Sequence, residues 1–122
     1  MKSLEINGKD YPLSFGIDFI REMDKRYHID AQGFPLGAGL QSAVIYLIQE
    51  NPVVLEDIIL SATHTLTSVP RKADIEKWVE EQAENDTLEQ VFSDFLSALK
   101  TAPMTKKKTI QMVEAMEQAE EA

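Results

Sequence analysis

A mainly α fold, with a small N-terminal β-hairpin followed by a compact bundle of about five or six helices, is predicted by three observations in this 122-residue chain. An Asn7-Gly8 pair separates two short extended runs near the start. Beyond it, apolar residues recur at helical spacing over most of the sequence. Breakers such as Asn51-Pro52, Val69-Pro70 and Ala102-Pro103 stand between those stretches rather than within them.

The hairpin comes first. Asn-Gly accepts positive φ at both centres of a type I′ turn, so Ser3-Leu4-Glu5-Ile6 and Lys9-Asp10-Tyr11-Pro12-Leu13 pair about it, spanning about residues 3–13. A first helix is expected from Phe15 to about Tyr27, with Phe19, Ile20, Met23 and Tyr27 on one face and Ser14 as its cap. Glu22 and Arg26 form an i,i+4 pair of the favourable orientation. From His28 to Gly39, the breakers Gly33, Pro35, Gly37 and Gly39 predict a loop with Phe34 exposed at or near its tip.

A second helix, Leu40 to about Gln49, carries Leu40, Val44, Leu47 and Ile48 on one face. Asn51 caps the third and Pro52 takes its first position, with an apolar series of Val54, Leu55, Ile58, Ile59, Ala62 and Leu66. These two are the least polar part of the chain and are expected to form the core as an antiparallel pair. Lys72 to about Gln82 is a charged helix with a narrow stripe of Ile75, Trp78 and Val79. The fifth helix is the sharpest signal, with Leu88, Val91, Phe92, Phe95, Leu96 and Leu99 at the 3.6-residue period. Asp86 with Glu89, or Thr87 with Gln90, offers a capping box at its start. Thr101-Ala102-Pro103 closes it.

Residues 1–103 therefore make one helical domain with its hairpin, and 104–122 a mobile or helical C-terminal tail. In that tail Lys106-Lys107-Lys108 come early and glutamates late, opposing the helix macrodipole, so an isolated helix there is marginal. Three of the five methionines, Met104, Met112 and Met116, lie in it. Flexible thioether chains suit surfaces that accept varied partners.

Composition narrows the function. Twenty-one acidic against twelve basic residues give a formal charge of −9, which repels a phosphate backbone and argues against nucleic acid as a partner. No apolar run approaches the roughly 18 residues of a membrane span, and no signal peptide opens the chain. With no cysteine either, a soluble intracellular protein is expected.

No catalytic, cofactor or metal signature emerges. His28 and His64 stand far apart without neighbours at metal-ligand spacing, so both are read as structural: His28 near the first helix's C-terminus, His64 late on the third. Asp30-Ala31-Gln32-Gly33 lacks the alternating carboxylates of a calcium loop, and Gly37-Ala38-Gly39 is too short to cradle a phosphate. The glutamates at 76, 80, 81 and 84 read as a solvated helix face. No enzyme is predicted.

One resemblance covers nearly the whole chain. Ile6-Asn7-Gly8-Lys9, Leu13-Ser14-Phe15-Gly16-Ile17 and Phe19-Ile20-Arg21-Glu22-Met23-Asp24 resemble the start of the tail assembly chaperones of long-tailed phages of Gram-positive bacteria. The likeness continues through Gly37-Ala38-Gly39-Leu40, Tyr46-Leu47-Ile48-Gln49 and Asn51-Pro52-Val53-Val54-Leu55 to the helices around Trp78 and from Leu88 to Leu99. It implies a non-enzymatic protein that coats the aggregation-prone tape measure protein in the host cytoplasm, helps recruit tail tube subunits, and is absent from the mature virion. A homo-oligomer is expected on avidity grounds, since one copy binds weakly and repeated copies along a client bind well. Candidate partner-binding residues are Phe34 in the glycine-rich loop and Met104, Ile110, Met112, Val113 and Met116 in the tail. The alternative reading is a small structural head-to-tail adaptor or other virion component. A third class, an acidic mimic of nucleic acid, is disfavoured because the carboxylates interleave with lysines and arginines.

Overall fold

The Asn7-Gly8 turn forms as its chemistry requires, with φ of 51° at Asn7 and 75° at Gly8, in a computed structural model that describes residues 1–121. Strands β1 (Ser3–Ile6) and β2 (Lys9–Pro12) pair antiparallel around it, Ile6 opposite Lys9 and Leu4 opposite Tyr11. Alternation puts Leu4, Ile6 and Tyr11 on one face, and that face closes one side of the core.

The first helix, α1 (Ile17–Arg26), starts later than its apolar series suggests. Ser14 does not cap it. Its backbone N–H instead donates to the carbonyl of Ala62 at 2.9 Å, which ties the linker to the far end of another helix and leaves Gly16 at the cap position without a side-chain bond.

The segment expected to be a loop is a second hairpin, β3 (His28–Ala31) and β4 (Phe34–Gly37), around Gln32 and Gly33 at φ 52° and 85°. Gln32-Gly33 thus repeats the turn made by Asn7-Gly8. Counting Gly and Pro as breakers misses this, because both are tolerated in edge strands at positions that lend no N–H to the ladder. His28 lies just past the C-terminus of α1, as expected, and opens a strand there.

Helices α2 (Gly39–Ile48) and α3 (Val53–Ala62) follow, joined by four residues. Glu50, at φ 57°, ends α2 in a Schellman motif: its N–H reaches the Leu47 carbonyl at 3.2 Å and that of Asn51 reaches Tyr46 at 2.9 Å. Asn51 then turns to α3, its Oδ1 accepting from the N–H of Val53 at 3.1 Å. The third helix stops short of Leu66. Thr63 Oγ1 donates back to the Ile59 carbonyl at 2.7 Å while Ser14 takes that of Ala62, so the last turn is closed and His64 lies beyond the helix.

Helix α4 (Lys72–Glu84) buries Ile75 against α3 and β1, and α5 (Leu88–Thr101) buries Val91, Phe92, Phe95, Ala98 and Leu99. The capping box expected for α5 is absent. Asp86 at φ 57° and Thr87 instead complete a Schellman motif on α4, Thr87 N–H donating to the Gln82 carbonyl at 2.9 Å and its Oγ1 to Gln82 Oε1 at 2.6 Å. The same polar residues can start one helix or stop the one before it. Here the stop takes them.

The last helix, α6 (Lys106–Glu121), lies against α5 and α2. Its charge order opposes the macrodipole, an effect of roughly 0.3–1 kcal/mol, whereas each large apolar side chain taken fully from water contributes about 1.5–3 kcal/mol. Met112 and Val113 pack half-buried on the core, and Thr105 and Thr109 are wholly buried. Packing outweighs the dipole. Thr105 Oγ1 donates to the Leu99 carbonyl at 2.7 Å, while the Thr109 hydroxyl meets no hydrogen-bond partner among the described residues.

At the centre α1 packs across both α2 and α3, and Phe19 and Met23 share one buried cluster with Val44, Leu47, Leu55 and Ile58. Gly39, the first residue of α2, makes this possible. A Cβ there would strike the backbone of Met23 and Asp24, well inside van der Waals contact. Six helices and two two-stranded sheets, among the described residues, share this core.

Two stability outcomes follow for urea or thermal unfolding. Gly39→Ala forces α1 and α2 apart and costs roughly 1–3 kcal/mol. Glu50→Gly, which relieves a left-handed residue at a helix C-terminus, stabilises by up to about 1 kcal/mol.

Candidate interaction surface

The register of the second hairpin dictates what it presents. Ile29 stands opposite Leu36 and Ala31 opposite Phe34, so all four side chains share one face. On that face Ile29 is 61%, Phe34 72% and Leu36 55% exposed. Three large apolar side chains left in water on one four-residue ribbon make a patch rather than scattered exceptions. Phe34 is where the sequence places it, just past the turn. Ile29 and Leu36 were missed, although their alternation with Ala31 and Phe34 about Gln32-Gly33 is a period-two signal.

The opposite face of the ribbon looks onto α1. His28, Pro35 and Gly37 line a hollow of about 380 Å³ with Arg21, Asp24 and Lys25. Asp24 anchors the join: its Oδ1 accepts from the Gly39 N–H at 2.9 Å, placing a carboxylate at the positive N-terminus of α2. A Cβ at Gly37 would overlap the same carboxylate, so a side chain there has to push Asp24 aside.

The base of the hairpin is held by a polar cluster between α1 and α3. Glu22, almost fully buried, accepts from Lys25 Nζ at 2.8 Å and Arg26 at 3.3 Å, and lies 3.2 Å from His64 Nε2. The i,i+4 pair expected from the sequence is therefore present, inside a larger network. Arg26 also donates to Ser61 Oγ at 3.3 Å and sits 3.6 Å from Asp57, whose other oxygen accepts from the Tyr27 hydroxyl. The hydrogen bond from Lys25 draws the Glu22 carboxyl below its usual range, with His64 and Arg26 adding to it against the opposing effect of burial. Burial, reinforced by Asp57, pushes the Tyr27 phenol up and keeps it a donor. Such a cluster fixes direction. It aims the last turn of α1, and with it β3, away from the core.

The remaining candidates gather elsewhere. Met104 is exposed on the rim of a cleft of about 590 Å³ formed by Met1, Leu13, Phe15, Ala98 and Pro103, between the N-terminal hairpin and the corner joining α5 to α6. Ile110 is exposed on α6, Met116 is half-buried, and Met112 and Val113 are half-buried against the core. Phe34 thus belongs to a hairpin packed on α1, and the other five to the region of α6, which packs on α5 and α2. They are two patches on different elements.

Among the described residues no group of His, Cys, Asp or Glu is placed to hold a metal ion, and no helix is long and apolar enough to cross a membrane. A family model described as "Phage tail assembly chaperone protein, TAC" matches residues 3–114, which take in both hairpins, the first five helices and the start of the sixth. No curated protein and no solved structure matches the chain.

The Glu22 cluster gives a pH dependence with a definite sign. A carboxyl drawn below its ordinary value of 4.5 in the folded state stabilises the fold above that value, and the contribution is lost as pH falls through the folded pKa. In urea titrations from neutral pH into acid, the native chain loses stability progressively below about pH 4.5. Glu22→Gln is less stable than it by roughly 1–3 kcal/mol at pH 7, and the gap narrows in acid.

Proposed function

The chain belongs to the phage tail assembly chaperone family, a non-enzymatic family, and on that footing we propose that it binds the tape measure protein, keeps it soluble and helps recruit tail tube subunits. It acts as a homo-oligomer in the host cytoplasm and is left out of the mature virion. Family membership supports the role. The observation that carries the contact is the solvent-facing apolar strip of Ile29, Phe34 and Leu36 on a body whose net charge is −9.

The division of labour follows from range. Exposed like charges repel over a Debye length of about 8 Å at physiological ionic strength, keeping loaded complexes apart, while apolar contact acts only on touching surfaces. Phe34 with its two neighbours forms one contact. Exposed Met104 and Ile110, with Met112, Val113 and Met116 alongside, form a second whose flexible side chains fit varied client sequence.

Magnitudes favour many weak contacts over one strong contact. Three apolar side chains at roughly 1.5–3 kcal/mol each at best offset the roughly 4–15 kcal/mol cost of association. A single copy therefore binds loosely and can be displaced by arriving tube subunits. Copies ranged along a long client gain affinity from linkage alone.

Co-expression with the tape measure protein tests this. The client stays in the soluble fraction only when the chain is present, and Phe34→Asp, a surface change within about 0.5 kcal/mol of native stability, lowers the soluble yield severalfold. Recovery of the chain in stoichiometric amounts from purified virions would assign it instead to the particle, as an adaptor.

A further inference from the structure

The second hairpin has two outer edges, and they are chemically unequal. Ala38 N–H donates to the Tyr27 carbonyl at 2.9 Å, which fixes the ladder: residues 27, 29 and 31 point their backbone groups at the neighbouring strand, and 28 and 30 point theirs outward. On β4 the outward position opposite Asp30 is Pro35, which has no N–H to offer. Gly37, opposite His28, keeps its outward N–H, so that edge has one donor where β3 has two. On β3 the N–H and C=O groups of His28 and Asp30 face outward, and among the described residues nothing hydrogen-bonds to them.

This edge has a self-complementary sequence. Two antiparallel copies of β3 centred on Ile29 exchange four backbone hydrogen bonds, with His28 opposite Asp30 of the partner subunit in both halves of the pair. Centring on Asp30 would set carboxylate against carboxylate and carry His28 onto the turn residue Gln32. Centring on His28 would need Arg26, which is helical, as the partner of Asp30. Only the Ile29 register uses both outward residues within the strand, and it is also the one with favourable cross-strand pairs. The ribbon rests on α1 through β4 and has no fully buried side chain, so its β3 side gains burial only from a further strand.

We propose that the β3 edge is a self-association site, at which two copies pair antiparallel about a two-fold axis at Ile29 and join their second hairpins into one four-stranded sheet. The occupant is a second copy of this chain because each His28 finds an Asp30 and each Asp30 a His28, the mark of an isologous contact. In the joined sheet Ile29 meets Ile29 of the partner subunit, and Ala31, Phe34 and Leu36 of both copies continue on one apolar face. The client-facing strip is doubled. This deepens the homo-oligomeric part of the proposed function and rests on it for its purpose, while its test reads association directly and needs no client.

Sedimentation velocity of the full chain over a concentration series is the measurement, with far-UV circular dichroism and a thermal midpoint to confirm folding of each variant. The native chain dimerises. Asp30→Pro mirrors Pro35 across the ladder, removes both an outward N–H and the carboxylate that faces His28 of the partner subunit, and raises the dimer dissociation constant about tenfold or more. His28→Asp alone and Asp30→His alone each weaken the dimer. Combined, His28→Asp with Asp30→His restores it, because the exchanged pair is again complementary. In a chain without cysteine, Ile29→Cys forms a disulfide dimer under mild oxidation. Leu36→Cys does not, since the two β4 strands lie roughly three strand spacings, about 14 Å, apart. If Asp30→Pro fails to fold, the two cysteine variants decide the matter alone. A native chain that stays monomeric throughout, unimpaired association of Asp30→Pro, or a double exchange no better than the single changes would overturn the proposal. So would loss of client solubility in Asp30→Pro with dimerisation intact, which would give the edge to the client.

Discussion

The backbone of Gly39, laid against that of Met23 and Asp24 with no room for a side chain, is the constraint on which the rest of the structure turns. It sets the distance between α1 and α2, and α2 is the helix that meets α1, α3, α5 and α6 alike. The same junction supplies its own electrostatics, because the Asp24 carboxylate that would collide with any side chain at Gly37 is the acceptor for the first N–H of α2. Sterics and charge meet at one point. Phe19 and Met23 then join the buried α2 and α3 side chains in one cluster, and the second hairpin lies where the chain passes from α1 to α2.

From that junction outward, the molecule separates two kinds of surface. Charged residues are spread over the exterior, with carboxylates in excess, and the buried Glu22 carboxylate draws Lys25, Arg26 and His64 to the join of α1 and α3. Apolar side chains exposed to water concentrate on the second hairpin and near the start of α6. A hairpin is suited to presentation, since its two-residue period places one set of side chains outward while the other faces the supporting helix. The Glu22 network beneath it sits at the last turn of α1, so the helix end from which the hairpin springs is held by ionised groups.

Much of this was legible in the chain. Asn7-Gly8, the period of Leu88 to Leu99 and the Asn51-Pro52 joint each carry their signal within a few residues, and each forms as local chemistry dictates. The failures share a cause. Ser14 has the right chemistry for a cap but is drawn to Ala62, and Thr87 is drawn back to Gln82, because a hydrogen-bonding side chain or amide has several nearby partners and the tertiary arrangement selects among them. His28 to Gly39 was obscured because Gly and Pro signal breaks in isolation. Their place relative to the ladder makes them compatible with a strand. At the candidate surface Phe34 stood out as a lone aromatic among small residues, whereas Ile29 and Leu36 gain meaning only as its neighbours on one face.

By itself, then, the sequence determined the helical class, the first hairpin, the acid excess and the apolar series that became the core, because these are set by composition, by turn preferences and by the 3.6-residue period. Only the tertiary structure decided which polar groups cap which helix, that the glycine-rich stretch pairs with itself, and that α6 gains enough burial to outweigh an unfavourable dipole. Those outcomes turn on contacts between residues remote in the chain, and a periodicity measured along one segment contains no distance to another.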